Sequence, residues 1–144
     1  RNVERYREFG WPVASDAVEG FAGPLAGLHA GMSQARTAWV ATVPCDSPFL
    51  PLDLVARLAA AIDASGAKGE RAQLAVARTG AQPHPVFALV ERALLADLER
   101  FLSEGRRKID AWYAPLRVVE VEFDDEAAFR NLNTMQELKE EERR

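Results

Sequence analysis

A continuous apolar run, Trp39–Val43, passes through Pro44-Cys45-Asp46-Ser47-Pro48 into a segment of helical period, Leu52–Ala64, with Val55, Leu58, Ala59 and Ile62 on one face. This strand–loop–helix unit constrains the fold most, because strand-length apolar runs alternate with helical stretches along most of the chain. The pattern predicts an α/β fold with a mostly parallel sheet. A chain of 144 residues, 48% of them hydrophobic, can bury one core, so a single domain over residues 1–144 is expected.

The other elements follow from punctuation and period. Arg1–Phe9 reads as helix stopped at Gly10, and Trp11–Ala14 as a short strand ending at Ser15-Asp16. Pro24 suits the first turn of a helix over Leu25–Gln34, since its missing N–H would lack an intrahelical partner anyway. Ser65–Arg71 reads as a loop, and Gln73–Ala77 and Pro85–Val90 as strands with a hairpin-like return between them. The prolines flanking the second strand point to a sheet edge or a close approach. Glu91–Leu102 is amphipathic through Leu94, Leu95, Leu98 and Phe101, a short helix follows over Arg107–Trp112, and Leu116–Phe123 alternates as a last strand. Thr134-Met135-Gln136-Glu137 fits a capping box opening a C-terminal helix.

Charge and cysteine usage narrow the functions. Lys and Arg number 18 against 22 Asp and Glu, a net charge of -4 with no long basic stripe, which argues against nucleic acid as a partner. An acidic chain that handles an anionic small molecule needs local devices: a metal ion, backbone N–H groups or a few placed cations. Cys45 is the single cysteine and can form no internal disulfide, and no stretch has the length and apolarity of a signal peptide or membrane span. A reducing, cytoplasmic setting without membrane contact is expected.

Asp46 is the first candidate for chemistry. Ligands of open α/β sheets bind beyond the carboxyl ends of strands, and a carboxylate there can hold Mg²⁺ by one oxygen while phosphate and water complete the octahedron. The same residue can instead make an Asx turn before Pro48 or cap the next helix. Gly23, Gly27 and Gly31 recur every fourth residue and leave a smooth helical face, which either a sheet or a nucleotide can approach. Asn131 and Asn133 lie two apart, so in extended chain their amides can face one heterocycle, or they can bond locally. Arg106, Arg107 and Lys108 can receive a phosphate or remain a solvated cluster after a helix end. His84, between two prolines, can orient a substrate or be structural. Cys45 stands beside an aspartate, whose charge opposes a thiolate, and is expected to be a small packed residue.

Taken together, Gly23-Pro24-Leu25-Ala26-Gly27-Leu28-His29-Ala30-Gly31, Val43-Pro44-Cys45-Asp46-Ser47-Pro48-Phe49-Leu50 and Asn131-Leu132-Asn133-Thr134-Met135-Gln136-Glu137-Leu138 resemble the molybdenum cofactor guanylyltransferase family in order and spacing. His84-Pro85-Val86-Phe87-Ala88-Leu89 and Gly105-Arg106-Arg107-Lys108 are similar to its middle section. The resemblance implies a Rossmann-like, three-layer α/β sandwich of the nucleotide-diphospho-sugar-transferase type. It also implies transfer of GMP from GTP to molybdenum-molybdopterin, with release of pyrophosphate.

By position, the resemblance makes Asp46 the catalytic Mg²⁺ ligand and Asp16 a nucleotide-site residue, with Gly23 and Gly27 giving the close backbone approach. It puts Asn131 and Asn133 on the pterin side and Arg107 or Lys108 at the molybdopterin phosphate. A companion GTP-binding protein and molybdoenzyme chaperones enter as further partners. The family opens with a strand and a glycine-rich loop whose arginine and lysine grip the guanine and triphosphate, a segment with no counterpart in these residues. Residues 1–144 alone are therefore expected not to catalyse transfer. Other readings are a cytidylyltransferase acting on the same pterin and a non-catalytic pterin-binding module. A sugar-nucleotide glycosyltransferase lacks its usual Asp-x-Asp pair here.

Overall fold

The structure, a computed structural model, describes residues 23–129 and 142–143. In chain order these form helix α1 (Pro24–Gln34), strand β1 (Trp39–Thr42), helix α2 (Leu54–Ala67), strands β2 (Leu74–Thr79) and β3 (Gln82–Glu91), helices α3 (Leu95–Ser103) and α4 (Ile109–Tyr113), and strand β4 (Val118–Glu122). Single 3₁₀ turns occupy Arg92–Leu94 and Glu126–Phe129. The expected helices at Arg1–Phe9 and after Thr134, and the strand Trp11–Ala14, lie outside the described residues.

The strands lie in the order β1-β3-β2-β4. β2 runs parallel to β4 in the register Leu74↔Val118 to Arg78↔Glu122. β2 and β3 are joined by Gly80 and Ala81 alone, a link that only antiparallel neighbours allow, and Gly80 supplies the turn's left-handed φ of 56°. The α/β class stands, and this hairpin makes the described sheet mixed rather than mostly parallel.

By compactness the chain divides into Arg1–Val40 with Val90–Leu116, and Ala41–Leu89 with Arg117–Arg144. In the first unit, α1 packs against α3. Leu25, Leu28 and Met32 are buried from one helix and Leu98, Phe101 and Leu102 from the other. His29 donates through Nε2 to Glu99 at 3.2 Å, and Arg92 Nε donates to the Met32 carbonyl at 3.1 Å, so polar bonds fasten this pair as well as apolar contact. The short α4 adds Trp112, 1% exposed, whose indole N–H reaches Asp97 at 2.9 Å.

In the second unit, α2 lies on β2 and β4, burying Leu54, Leu58 and Ile62. Leu74, Ala75, Val76 and Ala77 are all buried, as expected of a strand covered on both faces. β4 alternates, with Glu120 and Glu122 exposed, and Arg78 on β2 pairs with both, at 3.1 and 3.8 Å. β4 is an outer strand among the described residues, and charged residues at such a position discourage pairing with a foreign edge. Arg57 on α2 lies 4.0 Å from the Phe123 ring centroid and donates to the Glu122 carbonyl at 2.6 Å, locking the helix to the end of β4.

Of the boundaries that differ from expectation, two have identifiable reasons. α2 continues through Ser65-Gly66-Ala67, where a loop is expected, because the Ser65 hydroxyl donates to the Ile62 carbonyl at 2.6 Å and accepts the Ala72 N–H at 2.8 Å. One side chain thus ties the helix end to the approach of β2. β3 is longer than expected and lies inside the sheet, so its prolines do not mark an edge. The Arg92 N–H bonds to the Ala38 carbonyl at 2.8 Å, which sets the end of β3 beside the start of the four-residue β1. Pro83 and Pro85, at the other end of the ten-residue β3, fall beyond β1, where a missing N–H costs no ladder bond.

Candidate functional site

β1 ends at Thr42, and the chain turns at Cys45 and Asp46 before α2 begins at Leu54. Asp46 is half-buried, and among the described residues no hydrogen bond or ion pair engages its carboxylate. The residue before α2 is Asp53, whose side chain makes no cap bond either. The turn-forming and helix-capping roles open to Asp46 are therefore not seen, and its carboxylate is left for other use. Cys45, in the turn, is exposed rather than packed. No group of three or more His, Cys, Asp or Glu among the described residues could hold a metal. A cation at Asp46 would take this one hard carboxylate oxygen and draw its other ligands from substrate and water, which suits Mg²⁺.

Beside the same loop in sequence, Pro44 lines a cleft of about 170 Å³ with Pro83, His84, Pro85, Val86, Phe87 and Phe129. His84 is tightly held there. Its Nε2 is 2.7 Å from the hydroxyl of buried Thr79. Its ring stacks on Phe129 at 4.8 Å and 12°, and meets Phe87 edge-on at 6.1 Å. Phe129 in turn contacts Phe87 at 4.7 Å and Phe123 at 5.3 Å. Burial lowers the His84 pKa below its ordinary 6.5, with the charge of Glu126 pulling weakly the other way.

That depression carries a sign. An imidazole whose folded pKa lies below its unfolded one is neutral in both states above about pH 6.5, and the unfolded chain binds the extra proton as pH falls. The protein should lose stability relative to His84→Gln as pH drops from 6.5 through the folded pKa, and show no such difference between pH 7 and 8. Thermal midpoints of the two proteins measured from pH 5 to 8 check this, and parallel curves would remove desolvation of His84 as the cause.

In the unit that carries them, the cations after α3 are unequal. Arg107 donates to the carbonyls of Leu102 and Arg106 at 2.7 and 2.8 Å, the position where a cation meets the exposed acceptors of a helix end. Arg106 lies 4.5 Å from the Phe101 ring centroid and 4.0 Å from Glu104. Lys108 is exposed and has no such partner among the described residues.

Of the smooth glycine face, Gly23 is the residue before α1 rather than part of it, with φ 68°. A Cβ built at Gly23, Gly27 or Gly31 would meet nothing within 4 Å among the described residues, so that face is not covered by the described sheet or helices. Asp16, Asn131 and Asn133 lie outside the described residues.

A sequence profile described as the MobA-like NTP transferase domain matches residues 1–119. The chain belongs to the MobA-like NTP transferase family. Among its curated relatives, the molybdenum cofactor guanylyltransferase of Cupriavidus taiwanensis is 51% identical, over all of this chain and 72% of its own length. The enzyme of the same name from Ralstonia nicotianae is 49% identical, over 96% of this chain and 70% of its own. Of solved structures, molybdopterin-guanine dinucleotide biosynthesis protein A from Archaeoglobus fulgidus superposes with a TM-score of 0.62 at 25% identity, covering 83% of this chain and 60% of that one. A protein of Aquifex aeolicus VF5 superposes with a TM-score of 0.72 at 22% identity, over 91% of this chain and 66% of that one, which speaks for the fold alone. The MobA-like fold thus accounts for the sheet and for the loop that carries Asp46. Thr79 and Phe129, which hold His84, gave no local signal in the sequence, because neither belongs to a motif and they meet only in the folded chain.

Proposed function

We propose that this protein transfers GMP from GTP to molybdenum-molybdopterin, forming the molybdopterin guanine dinucleotide and pyrophosphate. The observation that carries the reading is an identity of about half, over essentially the whole chain, with relatives named molybdenum cofactor guanylyltransferase. A terminal phosphate oxygen of the acceptor attacks the α-phosphorus of GTP in line. The bond from that phosphorus to the bridging oxygen breaks, and pyrophosphate leaves with the bonding pair.

Asp46 would hold Mg²⁺ through one carboxylate oxygen, and the ion would supply positive charge against the charge developing on the transferred phosphoryl group. The open face at Gly23 and Gly27 admits the nucleotide close to the start of α1, where backbone amides favour phosphate. Lys108 offers the acceptor phosphate a cation not already committed to the protein. Asp16 takes the nucleotide side, and Asn131 and Asn133 the pterin side. The work of these residues is positioning and charge stabilisation, and no covalent enzyme intermediate is required.

The test is transfer of label from α-labelled GTP to molybdenum-molybdopterin by the full-length protein, with CTP as competitor. Label in the dinucleotide that excess CTP does not suppress is the expected result. Preferential use of CTP would move the protein to cytidylyl transfer, and no transfer from either would favour a pterin-binding module. In the same assay Lys108→Ala should raise the KM for the acceptor about tenfold with the KM for GTP unchanged, the scale of one charge-assisted phosphate contact. An unaltered acceptor KM would take Lys108 out of the site.

A further inference from the structure

We propose that the cleft between Pro44, the start of β3 and Phe129 is a one-ring subsite for the amino-oxo-pyrimidine edge that guanine and pterins share, with His84 Nδ1 as the polar atom that recognises it. The proposal rests on the guanylyl-transfer reading only for the choice of these two rings.

Size comes first. At about 170 Å³ the cleft is well below the roughly 300–1,000 Å³ of pockets that enclose whole ligands, so it suits one flat ring system and no attached triphosphate. Its lining is three prolines, a valine, two phenylalanines and His84. With no lysine, arginine or carboxylate among these residues, it offers a phosphate nothing, whereas proline and aromatic faces suit an uncharged heterocycle.

Direction comes next. Thr79 engages Nε2 and Phe129 covers one face of the imidazole, so the ring cannot turn without losing both. Whichever way the proton lies in the Thr79 bond, Nδ1 is the ring's remaining polar atom, and it has no hydrogen-bond partner among the described residues. A neutral imidazole, which burial favours, presents there either one donor or one acceptor. A ring fixed in an otherwise apolar lining discriminates through its remaining polar atom, because a ligand without the complementary group leaves that atom unpaired. Pro44 stands two residues before Asp46, so a ring in this slot lies next to the loop proposed to hold the metal.

The experiment titrates full-length protein separately with unsubstituted pterin and with guanosine, neither of which carries phosphate. It follows ligand fluorescence or heat together with the ¹⁵N shifts of the His84 imidazole. Saturable binding of one ring, a shift of the Nδ1 signal on saturation, and at least tenfold weaker binding in His84→Gln and His84→Phe are expected. The glutamine retains a group near Thr79, and the phenylalanine retains the stack. Pterin as the responding ring assigns the slot to the acceptor, and guanosine assigns it to the donor. The proposal is overturned if neither ring binds the unmodified protein saturably, if the Nδ1 signal stays fixed at saturation, or if folded variants bind as well as the parent. Guanylyl transfer is measured on the same preparation, so a protein that binds the ring but transfers nothing would sink the functional reading and leave this one standing.

Discussion

Replacing Asp46 by asparagine should cut guanylyl transfer by about 100- to 1,000-fold, the scale seen when one preorganised electrostatic contact to a developing charge is removed. The amide keeps the size of the carboxylate and loses its charge, so Mg²⁺ that depended on it is held far more weakly. Stability should barely move, within about 0.5 kcal/mol, because Asp46 is half-buried and bonds to no described residue. This contrast makes the experiment decisive: a variant that melts like the parent while its rate collapses and its magnesium requirement rises fits a ligand. Unchanged turnover and magnesium dependence in the folded variant would remove the metal from Asp46.

Trp112→Ala should produce the largest loss of stability, about 3–5 kcal/mol by the cost of deleting a buried aromatic side chain. The indole is 1% exposed, and its N–H satisfies Asp97, which also pairs with Arg100. Truncation opens a cavity and leaves that carboxylate short of a donor. Against a total stability of roughly 5–15 kcal/mol the loss is a large fraction, readable as a fall in the urea midpoint. Trp112→Phe should lose less, since it refills most of the space and forfeits the hydrogen bond of about 1–2 kcal/mol. If the two variants unfold at the same urea concentration as the parent, α4 contributes little to the unit that contains it.

Much of the architecture was legible because it is written in short-range patterns. The apolar run at Trp39 and the helical period after it foretell β1 and α2, and Pro24 after a glycine foretells the start of α1. The loop bearing Asp46 could be placed between strand and helix for the same reason. What those patterns could not show was which roles Asp46 leaves unfilled, since an Asx turn and a free carboxylate look alike in sequence. The prolines of β3 misled in a similar way: their meaning depends on how far the neighbouring strand reaches, and β1 stops short of them.

Several pairings inside the two units are long-range. His29 and Glu99 are 70 positions apart, Arg57 and the Glu122 carbonyl 65, and Trp112 and Asp97 15. The division of labour among Arg106, Arg107 and Lys108 likewise follows from where α3 ends and from the ring and carbonyls it offers there.

By itself the sequence determined the α/β alternation, the loop position of Asp46 and the family to which the ordered motifs belong, because each depends on residue types at short spacing. Only the tertiary structure decided that Asp46 is uncommitted among the described residues, that Lys108, unlike Arg106 and Arg107, has no partner there, and that His84 is held by Thr79 and Phe129 in the lining of the cleft. Those outcomes turn on which partners the folded chain supplies: Thr79 reaches His84 across the β2–β3 hairpin and Phe129 arrives from beyond β4, and no residue pattern encodes that meeting.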